Sequence, residues 1–134
     1  MKLVSVAEMK AMEAQADQNG LTYSQMMENA GQGLAEVIDD LAIDEEDREI
    51  FGLVGPGNNG GDALVALAHL AADGWITRAY LVGRTKDSWV KRLEDGGGQI
   101  ISMQEDAGFK SLTAFVQSAS IVLDGLLGTG IKLP

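Results

Sequence analysis

IFGLVGPGNNGGDALVALAHL, from Ile50 to Leu70, decides the fold. An apolar run enters a glycine-dense turn, and an apolar pattern of helical period leaves it. A turn of this kind between a strand and a helix lets backbone amides approach a ligand closely at a helix N-terminus. Here the turn also carries Asn58, Asn59 and Asp62. Gly55, Gly57 and Gly60 satisfy the G-x-G-x-x-G spacing of dinucleotide sites, a weak signal by itself.

Working outward, short apolar runs alternate with helical ones. The strands are expected over Glu49–Val54, Ile76–Val82, Gln99–Met103 and Ile121–Leu123, and the helices over roughly Asp62–Ala72, Ser88–Asp95 and Gly108–Ala119. This alternation implies right-handed βαβ crossovers and a doubly wound, Rossmann-like parallel sheet in a three-layer α/β/α arrangement. Upstream, Ser5 with Glu8 and Thr22 with Gln25 read as capping boxes that open two extra N-terminal helices, Val6–Gln18 and one running to Leu41. Four strands leave both edges of the sheet unpaired. The last strand runs into DGLLGTGIKLP, a glycine turn that would normally open a further helix. Residues 1–134 therefore read as one domain, incomplete on its C-terminal side.

The formal net charge is −10. That balance argues against nucleic acid and anionic membrane as partners, since both repel it. The absence of cysteine rules out thiol catalysis and thiolate-bound zinc within this chain. The N-terminus becomes charged before a signal-peptide core could form, and no apolar run approaches the roughly 18 residues of a membrane helix. A soluble protein of the cytoplasm or an organelle matrix is the expectation, cytoplasmic first.

Two glycine turns offer different chemistry. In the first, Asp62 is expected in the first helical turn. There it would repel a pyrophosphate, so hydroxyls, amides or a cation suit this turn better. No acid ends the second strand to hold a ribose. Arg84 stands in that place and could suit a 2′-phosphate, which keeps an NADP-dependent oxidoreductase among the alternatives. The second turn, Gly125 to Gly130, adds Thr129 and Lys132, and its amides can form an anion nest. In a doubly wound sheet the first and fourth of these strands are neighbours. Asn58, Asn59 and Asp62 are then expected across a cleft from Asp124, Gly128, Thr129 and Gly130.

Each residue also has a plainer reading. Asp62 can be a helix cap, Asp124 a strand-end acid, Lys132 a solvated lysine and Thr129 a cap. His69, two turns past Asp62 and about 10 Å along the axis, reads as packed or exposed rather than as a general base.

GNNGGDALVALAHL, with DGLLGTGIKLP and the upstream MENAG of Met27 to Gly31, resembles the YjeF N-terminal domain, the NAD(P)H-hydrate epimerase family. The resemblance covers nearly the whole chain in order. It implies an isomerase that interconverts the R and S epimers of hydrated NADH and NADPH, with a fused or separate dehydratase as partner and a homodimer as assembly. It implies that Asn58, Asn59, Gly60, Gly61 and Asp62 bind the substrate, together with Gly128, Thr129, Gly130, Ile131, Lys132, Leu133 and Pro134. It further implies that Asn59 and Asp124 are ligands of a potassium ion. Asp62 is the candidate acid–base group. The family uses a further aspartate and potassium ligand that would lie beyond Pro134. Ala63 stands where the pattern usually has another glycine. A non-catalytic nucleotide-binding or protein-interaction scaffold of the same fold is the alternative.

Overall fold

The computed structural model describes residues 2–7, 22–44 and 46–126. Five parallel strands form the sheet: β1 (Lys2–Ser5), β2 (Glu49–Val54), β3 (Ile76–Leu81), β4 (Gln99–Ser102) and β5 (Ile121–Gly125), in the spatial order β1-β5-β2-β3-β4. Four helices accompany them among the described residues: α1 (Tyr23–Leu41), α2 (Asn58–Ala72), α3 (Ser88–Asp95) and α4 (Lys110–Ser118). The Rossmann-like parallel α/β architecture expected from the sequence is present.

Strand alternation builds the layers, because successive side chains point to opposite faces. Ile50, Val54, Ala79, Leu81, Ile121 and Leu123 face one way and pack with α1, α2 and α3 in the larger core. Phe51, Tyr80 and Val122 face the other way and pack under Leu112, Phe115 and Val116 of α4. α1 lies across α2, and Gly31 makes the approach possible: a Cβ there would stand 2.3 Å from Val65 Cγ1. The Thr22–Gln25 capping box forms as expected, with Gln25 N donating to Thr22 Oγ1 at 3.1 Å and Thr22 N donating to Gln25 Oε1 at 3.0 Å.

Three sequence expectations change. Lys2–Ser5 is a strand that pairs in register with β5, Lys2 opposite Ile121 and Ser5 opposite Asp124. The edge of β5 is thus covered, and the sheet has five described strands rather than four. Val6 and Ala7 are helical, while the rest of the expected Val6–Gln18 helix and Glu8 of its capping box lie outside the described residues. The third change concerns α2, which begins at Asn58 with Gly57 as its N-cap, four residues before the expected start.

Candidate active site

The site is built where β2 and β5 end side by side. Leu53 is in register with Asp124, and Val54 with Gly125. Past the strands the ladder continues, with Gly55 N donating to Gly125 O at 3.3 Å. The two glycine turns therefore leave the same rim of the sheet from neighbouring strands, at the point where strand order reverses. That crevice is the general ligand position of open parallel sheets. Gly125 is required by closeness: a Cβ there would lie 2.8 Å from Leu53 O, 3.0 Å from the Ala63 methyl and 3.3 Å from Asn59 O. Ala63, the departure from the family pattern, is accommodated against this glycine.

Of the predicted residues, the structure brings Asn58, Asn59, Gly60, Gly61 and Asp62 together on the first turns of α2. Asn58 is exposed, and the other four are buried. Asp62 is 3% exposed. It sits in the second turn of α2 rather than the first, about one turn farther from the helix N-terminus than expected. The glycines explain the early start. Gly60 lies under the Gly55 carbonyl, where a Cβ would come within 2.1 Å of Gly55 O. A composition that reads as loop is a helical turn pressed against the strand exit. The N-cap makes no side-chain bond, and a Cβ on Gly57 would meet nothing within 4 Å. Among the described residues, nothing stands against this face of the amide-bearing end of α2.

Asp124 is half-buried at the end of β5, and its Oδ1 accepts from Leu126 N at 2.9 Å. One carboxylate oxygen therefore shapes the turn. Asn59 and Asp124 supply amide and carboxylate oxygens from adjacent elements, a donor set suited to a hard cation. Among the described residues no group of three or more His, Asp or Glu could hold a metal. Gly128, Thr129, Gly130, Ile131, Lys132, Leu133 and Pro134 lie outside the described residues.

Sequence reasoning missed two contributors. Tyr23, the first residue of α1, donates its hydroxyl to Asn58 Oδ1. By sequence Arg84 stands only as a possible phosphate ligand, yet its side chain is 9% exposed and turned inward. Its Nη1 donates to Gly55 O at 3.0 Å and Gly57 O at 3.1 Å, and its Nε and Nη2 donate to Asp87 Oδ2 at 3.0 and 2.7 Å. A guanidinium satisfied in this way is not offered to a 2′-phosphate, the role the sequence left open for Arg84. No local signal pairs Tyr23 with Asn58 or Arg84 with the Gly55 and Gly57 carbonyls, since these contacts span 27 or more positions of sequence. His69 is part-buried and pairs with Glu28 Oε2 at 2.8 Å, and Arg92 Nη1 meets Glu28 Oε1 at 2.8 Å. The histidine thus belongs to a link among α1, α2 and α3.

The family model described as YjeF-related protein N-terminus matches residues 23–134. The chain belongs to the YjeF-related N-terminal family. A relative in Methanospirillum hungatei, named bifunctional NAD(P)H-hydrate repair enzyme Nnr, is 35% identical over 96% of this YjeF-related chain and 27% of its own length. One in Cenarchaeum symbiosum, named NAD(P)H-hydrate epimerase, is 33% identical over 96% of this chain and 60% of its own. The crystal structure of the yeast protein ynu0 superposes with a TM-score of 0.73 at 25% identity, covering all of this chain and 60% of that one. The chain therefore spans less than two thirds of these relatives. No described helix is long and apolar enough to cross a membrane.

Proposed function

We propose that this YjeF-related chain carries the N-terminal portion of a cytoplasmic NAD(P)H-hydrate epimerase, an isomerase that interconverts the R and S epimers of hydrated NADH and NADPH. The observation that carries the reading is the junction of the two glycine turns through Gly55 and Gly125. It draws the buried Asn59–Asp62 segment and Asp124 to one crevice. The names of the relatives supply the substrate class.

Epimerisation at the hydrated ring carbon requires the hydroxyl to leave and return, or the ring to open and close. Both routes need a positioned proton donor and acceptor. Asp62 takes that role, held in the body of α2 rather than on a mobile loop. Asn58 and the first-turn amides of α2 bind polar groups of the substrate, and Gly128–Pro134 join them in substrate binding, as the family resemblance implies. Asn59 and Asp124 hold a potassium ion, which supplies positive charge in the crevice when bound. A dehydratase, fused or separate, consumes the S epimer, and the domain assembles as a homodimer.

The deciding experiment uses the full-length parent. Asp62→Ala is expected to slow exchange between the separated R and S epimers by about a hundredfold or more, with its melting temperature retained. Exchange at the wild-type rate would remove Asp62 from the mechanism. A cation peak between Asn59 and Asp124 in a potassium-containing crystal tests the ion.

A further inference from the structure

We propose that Arg84 is a positioning residue that sets the peptide planes at the mouth of α2, and that the bend following β3 thereby controls how the substrate turn presents its amides. The inference rests on the crevice being the epimerase site.

The geometry is a fork with both ends occupied. One edge of the guanidinium, Nε and Nη2, meets the Asp87 carboxylate at 3.0 and 2.7 Å. The other edge, through Nη1, reaches the carbonyls of Gly55 and Gly57. Asp87 is itself fixed, because its Oδ1 accepts from Val90 N at 3.0 Å as the N-cap of α3. A continuous set of bonds thus runs from the start of α3 through Asp87 and Arg84 to the start of α2. The Gly57 carbonyl is shared between Arg84 Nη1 at 3.1 Å and Gly61 N at 3.3 Å, and because the peptide unit is planar and trans, its direction sets the Asn58 N–H on the opposite side. Gly60 closes the arrangement from below, since a Cβ there would stand 2.8 Å from Arg84 Nη1.

Arginine is required for geometry as well as charge. Three nitrogens in a rigid plane serve three acceptors, whereas a lysine ammonium is a single point and cannot span them. Asp87 neutralises the guanidinium, so its service to the site is directional rather than electrostatic.

The test uses the full-length parent with Arg84→Met, Arg84→Lys and Asp87→Asn. Arg84→Met is expected to raise the KM for hydrated NADPH about tenfold with kcat unchanged, the loss of one charge-assisted bond. Amide hydrogen exchange over residues 57–61 is expected to speed up about tenfold, while exchange in β3 stays at its wild-type rate. Arg84→Lys is expected to share both changes. Wild-type KM and wild-type exchange in Arg84→Met overturn the proposal, and so does full recovery by Arg84→Lys. If Arg84→Met fails to fold, Arg84→Lys and Asp87→Asn are read by the same two measurements. If the parent interconverts no epimers, the epimerase reading falls, and hydrogen exchange still decides whether Arg84 orders the turn.

Discussion

Gly60 and Gly61 are adjacent, both lie in α2 and both are buried, yet alanine should have opposite consequences at the two positions. Replacing an interior helical glycine by alanine gains about 1 kcal/mol in helix propensity at either position. The neighbours differ. At Gly60 the new Cβ would be 2.1 Å from Gly55 O, far inside the 3.0 Å that real Cβ contacts keep. That oxygen is backbone, held by Arg84 Nη1 while its own residue's N–H bonds to Gly125 O. It cannot move without disturbing the β2–β5 junction, so the overpacking cost falls at the upper end of the usual range, about 3 kcal/mol. At Gly61 the new Cβ would meet Met27 Sδ at 2.6 Å and Cε at 2.7 Å. These are the far atoms of an unbranched side chain that can swing aside for about 1 kcal/mol. The net expectation is about 2 kcal/mol of destabilisation for Gly60→Ala and a change near zero for Gly61→Ala. For a chain of this size the two melting temperatures should differ by about 6 °C. Urea titration and thermal melts followed by circular dichroism, at matched protein concentration, measure both. A Gly60→Ala protein as stable as Gly61→Ala would refute the claim that the strand exit and the helix start are rigidly pressed together.

Two further outcomes follow from titratable groups away from the crevice. Burial pushes the Asp106 carboxyl up, but donors from Ser111 N, Tyr80 OH and Leu112 N outweigh it and hold its pKa below the ordinary value; its stabilisation is complete above the unfolded pKa of about 3.9 and is lost as pH falls through the lowered folded value, so Asp106→Asn should flatten the acid limb of stability measured by urea titration across pH. Burial and the bond to Asp106 push the Tyr80 hydroxyl up to about 12, so that contribution is present below the unfolded value near 10 and declines above it. Glu28 joins His69 and Arg92 from a partly exposed position, and Glu28→Gln should change the unfolding free energy from urea titration by less than about 1 kcal/mol, with the difference shrinking in high salt.

The alternation of apolar runs and helical patterns made β2 to β5 and α1 to α4 legible within a few residues at each end. The exceptions have specific causes. Lys2–Ser5 is four residues long, and nothing local distinguishes it from a helix cap; its strand state depends on pairing with residues more than a hundred positions away. The start of α2 was hidden because Gly-Asn-Asn-Gly-Gly has poor intrinsic helix propensity. The glycines are there for contact with the Gly55 carbonyl and Met27, which only the assembled tertiary structure reveals. The adjacency of the β2 and β5 ends is legible because strand order in a doubly wound sheet follows from crossover rules. The inward turn of Arg84 was not, because an arginine at a strand end looks the same in sequence whether it greets a ligand or a carbonyl.

Pairing Lys2 with Ile121 joins residues more than a hundred positions apart in sequence. Closing so large a loop costs conformational entropy that is recovered only when both strands are in place. The central pair β2–β3 is separated by a single crossover and can form early, whereas β1 must wait until residues near 121 exist and β5 has docked on β2. Folding should therefore finish at this edge, and the first native bonds to open should be those of Lys2–Ser5. During synthesis Lys2–Ser5 consequently waits, exposed to solvent and to other chains, for as long as the ribosome takes to reach its mate near residue 121.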